Sequence, residues 1–154
     1  MPFTIPNLAD AAATAIAAPD SEDFDIIVSG FAQTGVESGL AATVAGTDMN
    51  VSLSAGSVRI ANGIYSIAAG TATIGAANAT LARFDLICAT TGGTVAVTAG
   101  VAAANPVFPA VPATSVALYA VYVPAASTTV VSGRVIDKRV VIADDGDWLA
   151  YSFF

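Results

Sequence analysis

Few residues in this chain are equipped for chemistry, and their types and spacing argue against it. There is no histidine, so no imidazole serves as a general base near neutral pH. The single cysteine, Cys88, ends the strand-like run Arg83-Phe84-Asp85-Leu86-Ile87-Cys88. Without a base beside it, it reads as a small buried apolar residue rather than a nucleophile. A calcium loop spaces its oxygen ligands at alternating positions and closes on a bidentate glutamate. Asp144-Asp145-Gly146-Asp147 is compressed and no glutamate follows it, so it reads as a hydrated turn. Carboxylates for glycoside hydrolysis would have to meet in space, and the only glutamates, Glu22 and Glu37, fall in apparent loops. Thr91-Gly92-Gly93-Thr94 has neither a following helix nor a lysine and is no phosphate cradle. No catalytic residue, metal ligand or cofactor site is expected.

What remains is a small set of charges and aromatics placed for contact. Arg83 and Asp85 interrupt an apolar run, and strand alternation puts both on one face with Phe84, Leu86 and Cys88 on the other. Asp137 and Arg139 repeat the spacing in Ile136-Asp137-Lys138-Arg139-Val140. The two pairs are read either as a cross-strand ion-pair ladder within one subunit or as an inter-subunit contact. Trp148, Tyr151, Phe153 and Phe154 crowd the last seven residues, and terminal aromatics are expected to dock on the same domain or a neighbour.

The elements that would position these residues are short and β-rich. Between residues 51 and 133 only Arg59, Arg83 and Asp85 are acids or bases, and Val/Ile/Leu/Thr/Ala runs are punctuated by Gly, Asn-Gly, Gly-Gly and Pro. Period-two runs predict strands over 26–31, 40–45, 50–54, 57–61, 64–68, 84–90, 94–99, 115–123, 128–131 and 135–143. Asn62-Gly63 predicts a tight hairpin, since both positions accept positive φ. Gly92-Gly93 predicts a second. Pro106, Pro109 and Pro112 at three-residue spacing predict an extended crossing, with Phe108 anchoring it to the sheet. The pattern gives an all-β fold, one antiparallel β-sandwich or barrel over 26–143. It is preceded by an arm, 1–25, whose Ala-rich helix is capped by Asn7 and stopped by Pro19, and followed by an aromatic tail, 144–154.

Composition bounds the partners. The 154 residues are 55% hydrophobic and 11% charged, against about 25% charged in an ordinary soluble domain. Some surface is therefore expected to be covered by further copies of the chain, most simply in a trimer. A net charge of −7 with five basic residues argues against nucleic acid and against anionic membrane. No apolar run of membrane-spanning length free of turn formers is present, and synthesis in a cytosol is expected.

One resemblance goes further. Val51-Ser-Leu-Ser-Ala-Gly56, Arg59-Ile-Ala-Asn-Gly-Ile-Tyr65, Ala82-Arg-Phe-Asp-Leu-Ile87 and Gly93-Thr-Val-Ala-Val-Thr-Ala-Gly100 follow one another in that order. The Pro-spaced loop with Phe108, Val116-Ala-Leu-Tyr-Ala-Val-Tyr-Val-Pro124 and Ile136-Asp-Lys-Arg139 complete the set. Over residues 26–140 this resembles a β-rich module of structural proteins of tailed bacteriophages, found in baseplate, tail-fibre and head-fibre polypeptides. No single motif is diagnostic; the signal lies in the order and spacing. The resemblance implies a virion component, commonly trimeric, made in the host bacterial cytoplasm and attached to a larger assembly. The short length and acidic arm fit a capsid decoration or cement protein that bridges capsomers and contacts the major capsid protein. A tail-fibre or baseplate anchor is the alternative, and a carbohydrate-binding module using Trp148 is a third.

Overall fold

The computed structural model describes residues 34–61 and 63–142. The arm 1–25, the strand expected over 26–31, Asn62, and the tail 144–154 with Trp148, Tyr151, Phe153 and Phe154 lie outside the described residues. Within them the chain is all-β: β1 (Gly35–Gly39), β2 (Ala42–Thr43), β3 (Asn50–Leu53), β4 (Gly56–Ile60), β5 (Gly63–Ile67), β6 (Gly70–Thr73), β7 (Arg83–Thr90), β8 (Val95–Ala99), β9 (Ser115–Val123) and β10 (Val135–Asp137). A single 3-10 turn, Ser132–Arg134, precedes β10.

Three open antiparallel sheets form, with strand orders β1-β4-β5, β2-β3-β6 and β10-β9-β7-β8, and none closes into a barrel. Inward side chains from all three meet in one core that includes Val36, Leu40, Val51, Val58, Ile67, Ile74, Ile87, Leu118 and Val121. Strand alternation explains most of it: on β7, Ile87 and Ala89 enter this core while Leu86 and Cys88 face the other way and pack with Ala120. β9 departs from alternation. Ile87 pairs with Tyr119 and Cys88 with Ala117, which leaves Leu118 as an extra residue in a β-bulge. Consecutive residues Leu118 and Tyr119 therefore both point inward, 0% and 4% exposed. A lost ladder bond costs about 0.5–1.5 kcal/mol, and full burial of a leucine contributes about 1.5–3, so the bulge is favourable.

Several expected boundaries shift. The run 40–45 narrows to β2 because Gly39 (φ 64°) and Leu40 (φ 57°) turn the chain out of one sheet and into another. β1 and β6 occupy segments not read as strands. The expected strand 128–131 is instead a loop, tied to the β2–β3 connection by the Val130 amide donating to the Asp48 carbonyl at 2.7 Å. The expected strand 135–143 ends at Asp137. The chain then crosses to the free edge of β1, where the Val36 amide donates to the Val140 carbonyl and the Ile142 amide to the Val36 carbonyl.

The first hairpin forms one step from its expected centre. Ile60 pairs with Gly63, so Gly63 is a strand residue and the turn begins at Ala61. A Cβ on Gly63 would stand 2.6–2.8 Å from the Tyr65 hydroxyl and ring. This glycine supplies room for an aromatic side chain rather than positive φ. The second hairpin closes over Thr91-Gly92-Gly93, with the Thr90 amide bonded to the Thr94 carbonyl and Gly93 at φ 72°.

Residues 101–113 run as an extended strap over the outer face of the four-stranded sheet, held by the backbone bond from Ala103 to Ala82. Phe108 anchors it on Phe84 at 4.4 Å between ring centroids, and Phe84 meets Tyr122 at 5.2 Å. A side chain at Gly100 would strike the Phe84 carbonyl, so the strap starts from a position that only glycine fits. Cys88 lies fully buried in the small cluster on this outer face, and that burial pushes its thiol up to about 11.

The turn residue Ala61 has φ 52°, a conformation that costs an L-residue roughly 1–2 kcal/mol. Ala61→Gly should relieve it, less the greater entropy glycine loses on folding. The expected net gain is about 0.5–1 kcal/mol in urea unfolding, with a loss for Ala61→Val.

Candidate functional site

The charged residues singled out by sequence form two arginine–aspartate clamps. Arg83 and Asp85 are two apart on β7 and so share a face, pointing into the interior. Arg83 donates from Nε to Asp85 Oδ1 at 2.8 Å and from Nη2 to Oδ2 at 3.0 Å, the bidentate fork that suits a carboxylate. Its remaining donors reach the chain between β6 and β7, with Nη1 to the Ala76 carbonyl and Nη2 to the Gly75 carbonyl, both at 2.8 Å. The Gly100 amide donates to Asp85 Oδ1 at 3.1 Å. Asp85 is 0% exposed and Arg83 8%, and no buried side-chain polar atom among the described residues lacks a partner. The pair ties β7 to the start of the strap and to the 74–82 segment. Its hydrogen bond to Asp85 holds the guanidinium protonated, outweighing the opposing effect of burial.

Asp137 and Arg139 form the second clamp at the end of β10. Arg139 Nη2 lies 2.6 Å from Asp137 Oδ2, and its Nε donates to Oδ1 at 3.0 Å. The Arg139 amide also donates to Oδ1, closing a tight Asx turn. Nη1 donates to the carbonyls of Gly39 (3.1 Å) and Leu40 (3.3 Å), and the guanidinium sits 5.1 Å from the Tyr119 ring centroid, within cation–π range. The Tyr119 hydroxyl donates to the Leu40 carbonyl at 2.9 Å and accepts from the Ala42 amide at 3.1 Å. Together Tyr119 and Arg139 satisfy the backbone of the left-handed corner between β1 and β2. Hydrogen bonds from Arg139 hold the Asp137 carboxyl below the ordinary carboxylate range, and burial pushes the Tyr119 hydroxyl up.

A ladder joining Arg83 and Asp85 to Asp137 and Arg139 does not form. β9 lies between β7 and β10, and each arginine finds its aspartate two residues away on its own segment. Nor do Arg83 and Asp85 offer a contact surface, being enclosed. Sequence reading missed Tyr119; its signal was a hydroxyl in the middle of the most apolar run, which burial obliges to find partners. It also missed the surface pair Arg59–Glu37 (2.6 Å), because β1 read as a loop.

Beside the second clamp, a cleft of about 380 Å³ opens between edge strands β2 and β10, with Ala42 and Val44 on one wall, Val135 and Asp137 on the other, and Tyr119 between. Its one carboxylate is engaged by Arg139 and Tyr119 is already doubly hydrogen-bonded, which leaves the Thr43 and Ser132 hydroxyls as its other polar side chains, with no unengaged acid or base among the lining residues. Among the described residues no three His, Cys, Asp or Glu side chains gather as metal ligands, and no helix is long and apolar enough to cross a membrane.

Removing one member of a buried ion pair leaves the other uncompensated, at a cost of about 3–5 kcal/mol. Asp85→Ala should lose that much in equilibrium unfolding, and the double variant Arg83→Met/Asp85→Leu should lose less than the sum of its single changes. The second clamp carries a pH signature. A carboxyl whose folded pKa is depressed stabilises above its ordinary range near 4 and loses that contribution as pH falls through the depressed value. Melting temperatures of wild type and Asp137→Asn should therefore differ at neutral pH and converge in acid.

No protein family, characterised protein or solved structure matches the chain.

Proposed function

We propose that the protein is a structural component of a tailed-bacteriophage virion, a capsid decoration protein that binds the shell as a homo-oligomer, a trimer in the simplest arrangement, and bridges capsomers. The observation that carries this reading is how the polar chemistry is used. Both arginine–aspartate clamps and the Tyr119 hydroxyl are spent inside the molecule on carbonyls, amides and each other, at strand ends and sheet corners. The outside of the stretch 86–133 carries no acid or base at all. A protein built this way is suited to holding shape and being packed against rather than to turning over a substrate.

The order and spacing of the segments that resemble phage baseplate, tail-fibre and head-fibre modules give the reading its setting. The same features fit a tail-fibre or baseplate anchor, which differs in where on the particle it attaches.

Purified protein added to particles of the encoding phage that lack it should co-sediment with capsids and raise the temperature at which they release DNA. Co-sedimentation with isolated tails alone would favour the anchor, and absence from both fractions would defeat the virion reading.

A further inference from the structure

We infer that residues 148–154 of this chain, a segment outside the described residues, close the cleft between β2 and β10 of the same chain.

The cleft suits an extended segment. β2 and β10 each stand at the end of their sheet. The Ser54 amide donates to the Ala41 carbonyl and the Lys138 amide to the Leu118 carbonyl. Alternation therefore turns the backbone groups of Ala42, Val44, Val135 and Asp137 away from the paired strands. Two of these donors are satisfied locally, Ala42 by the Tyr119 hydroxyl and Val135 by the Ser132 carbonyl. The Val44 and Asp137 amides have no hydrogen-bond partner among the described residues. An open strand edge takes a further strand through such groups. Around them Val44, Val135 and Tyr119 give an apolar lining, and the Asp137 carboxylate is neutralised by Arg139.

Reach and composition select the occupant. The 140–142 segment runs parallel to β1, with the Ile142 amide on the Val36 carbonyl. The chain at Ile142 is thus heading for the corner at Gly39 and Leu40, where β1 passes into β2. Ala42 lies six residues beyond Val36, and Trp148 lies six residues beyond Ile142. Six residues span at most about 20 Å, so the tail matches even a fully extended path from Val36 to Ala42, and the left-handed corner shortens that path. The connecting residues 143–147 carry Asp144, Asp145 and Asp147, and the Arg139 guanidinium sits on the corner they must pass, against the Gly39 and Leu40 carbonyls. From Trp148 on there is no charged residue. Leu149, Tyr151 and Phe153 alternate there with Ala150 and Ser152, the period of a strand. A tether of five residues gives this segment an effective concentration on the order of millimolar at its own cleft. A second copy or a foreign peptide at micromolar concentration does not compete with that.

Trp148 is the only tryptophan, so its fluorescence reads the docking in the full chain. Wild type should show blue-shifted emission that is shielded from acrylamide at every protein concentration. Thr43→Glu/Ser132→Glu places two carboxylates in the cleft at exposed positions. With the circular dichroism of wild type retained, this variant should shift the emission to the red and raise acrylamide quenching several-fold. Ile64→Glu, at a 60% exposed position on β5, should leave both unchanged. Should the double variant lose its fold, Ser132→Glu alone, in the turn before β10, takes its place. Hydrogen exchange at the Val44 and Asp137 amides should be slow in wild type and fast in the folded cleft variant. A solvent-exposed Trp148 in wild type overturns the inference, and so does a Trp148 that the cleft variants leave shielded. Shielding that vanishes on dilution overturns the assignment to the same chain and makes the occupant the tail of a second copy. The virion reading is tested separately, by particle binding.

Discussion

The buried pair of Arg83 and Asp85 is the constraint from which the rest of this structure follows. Two charges removed from water are tolerable only when geometry is good and every donor and acceptor is occupied. Here the fork closes on the carboxylate, two further donors hold the carbonyls of Gly75 and Ala76, and the Gly100 amide completes the shell. Those contacts fix where the 74–82 segment enters β7 and where β8 gives way to the strap. Replacement by apolar residues would fill the space, but it would not specify these backbone groups. The pair acts as a registration device at the junction of three chain segments.

The second clamp does the same work at the β10 edge of the four-stranded sheet, with more solvent around it. The β9 bulge is what makes it possible: without the extra residue Leu118, Tyr119 would face outward and its hydroxyl could not reach Leu40 and Ala42. The left-handed corner at Gly39 and Leu40 is satisfied from across the core by Tyr119 and Arg139. A packing irregularity, a strained corner and a surface ion pair are thus one unit.

Much of the body was legible in the sequence. The β class, the central run 115–123, both hairpins and the strap with its Phe108 anchor follow from alternation, turn residues and proline spacing. Alternation assigned Arg83 and Asp85 to a common face, as the structure has them, but it could not choose their partners. Partner choice depended on sheet order, and the presence of β9 between β7 and β10 has no local signature. β1 escaped because its glycines and polar residues, Gly35-Val36-Glu37-Ser38-Gly39, look like a loop; it is a strand because β4 and the 140–142 segment hold its two edges. Gly63 was credited with a backbone role when its use is steric. Tyr119 was visible as a residue and invisible as a role, since its partners are 77 and 79 positions away.

The proposal that this protein assembles rests on a β body whose two arginine–aspartate clamps are tied to its own backbone and whose 101–113 strap carries no ionisable residue. Under the proposal that this is a virion protein, the most direct measurement is a cryo-electron microscopy reconstruction of the phage particle, compared with the particle lacking this gene. The account predicts difference density at symmetry-related positions on the capsid surface, each filled by clustered copies of the β body. A capsid reconstruction identical with and without the gene would contradict it.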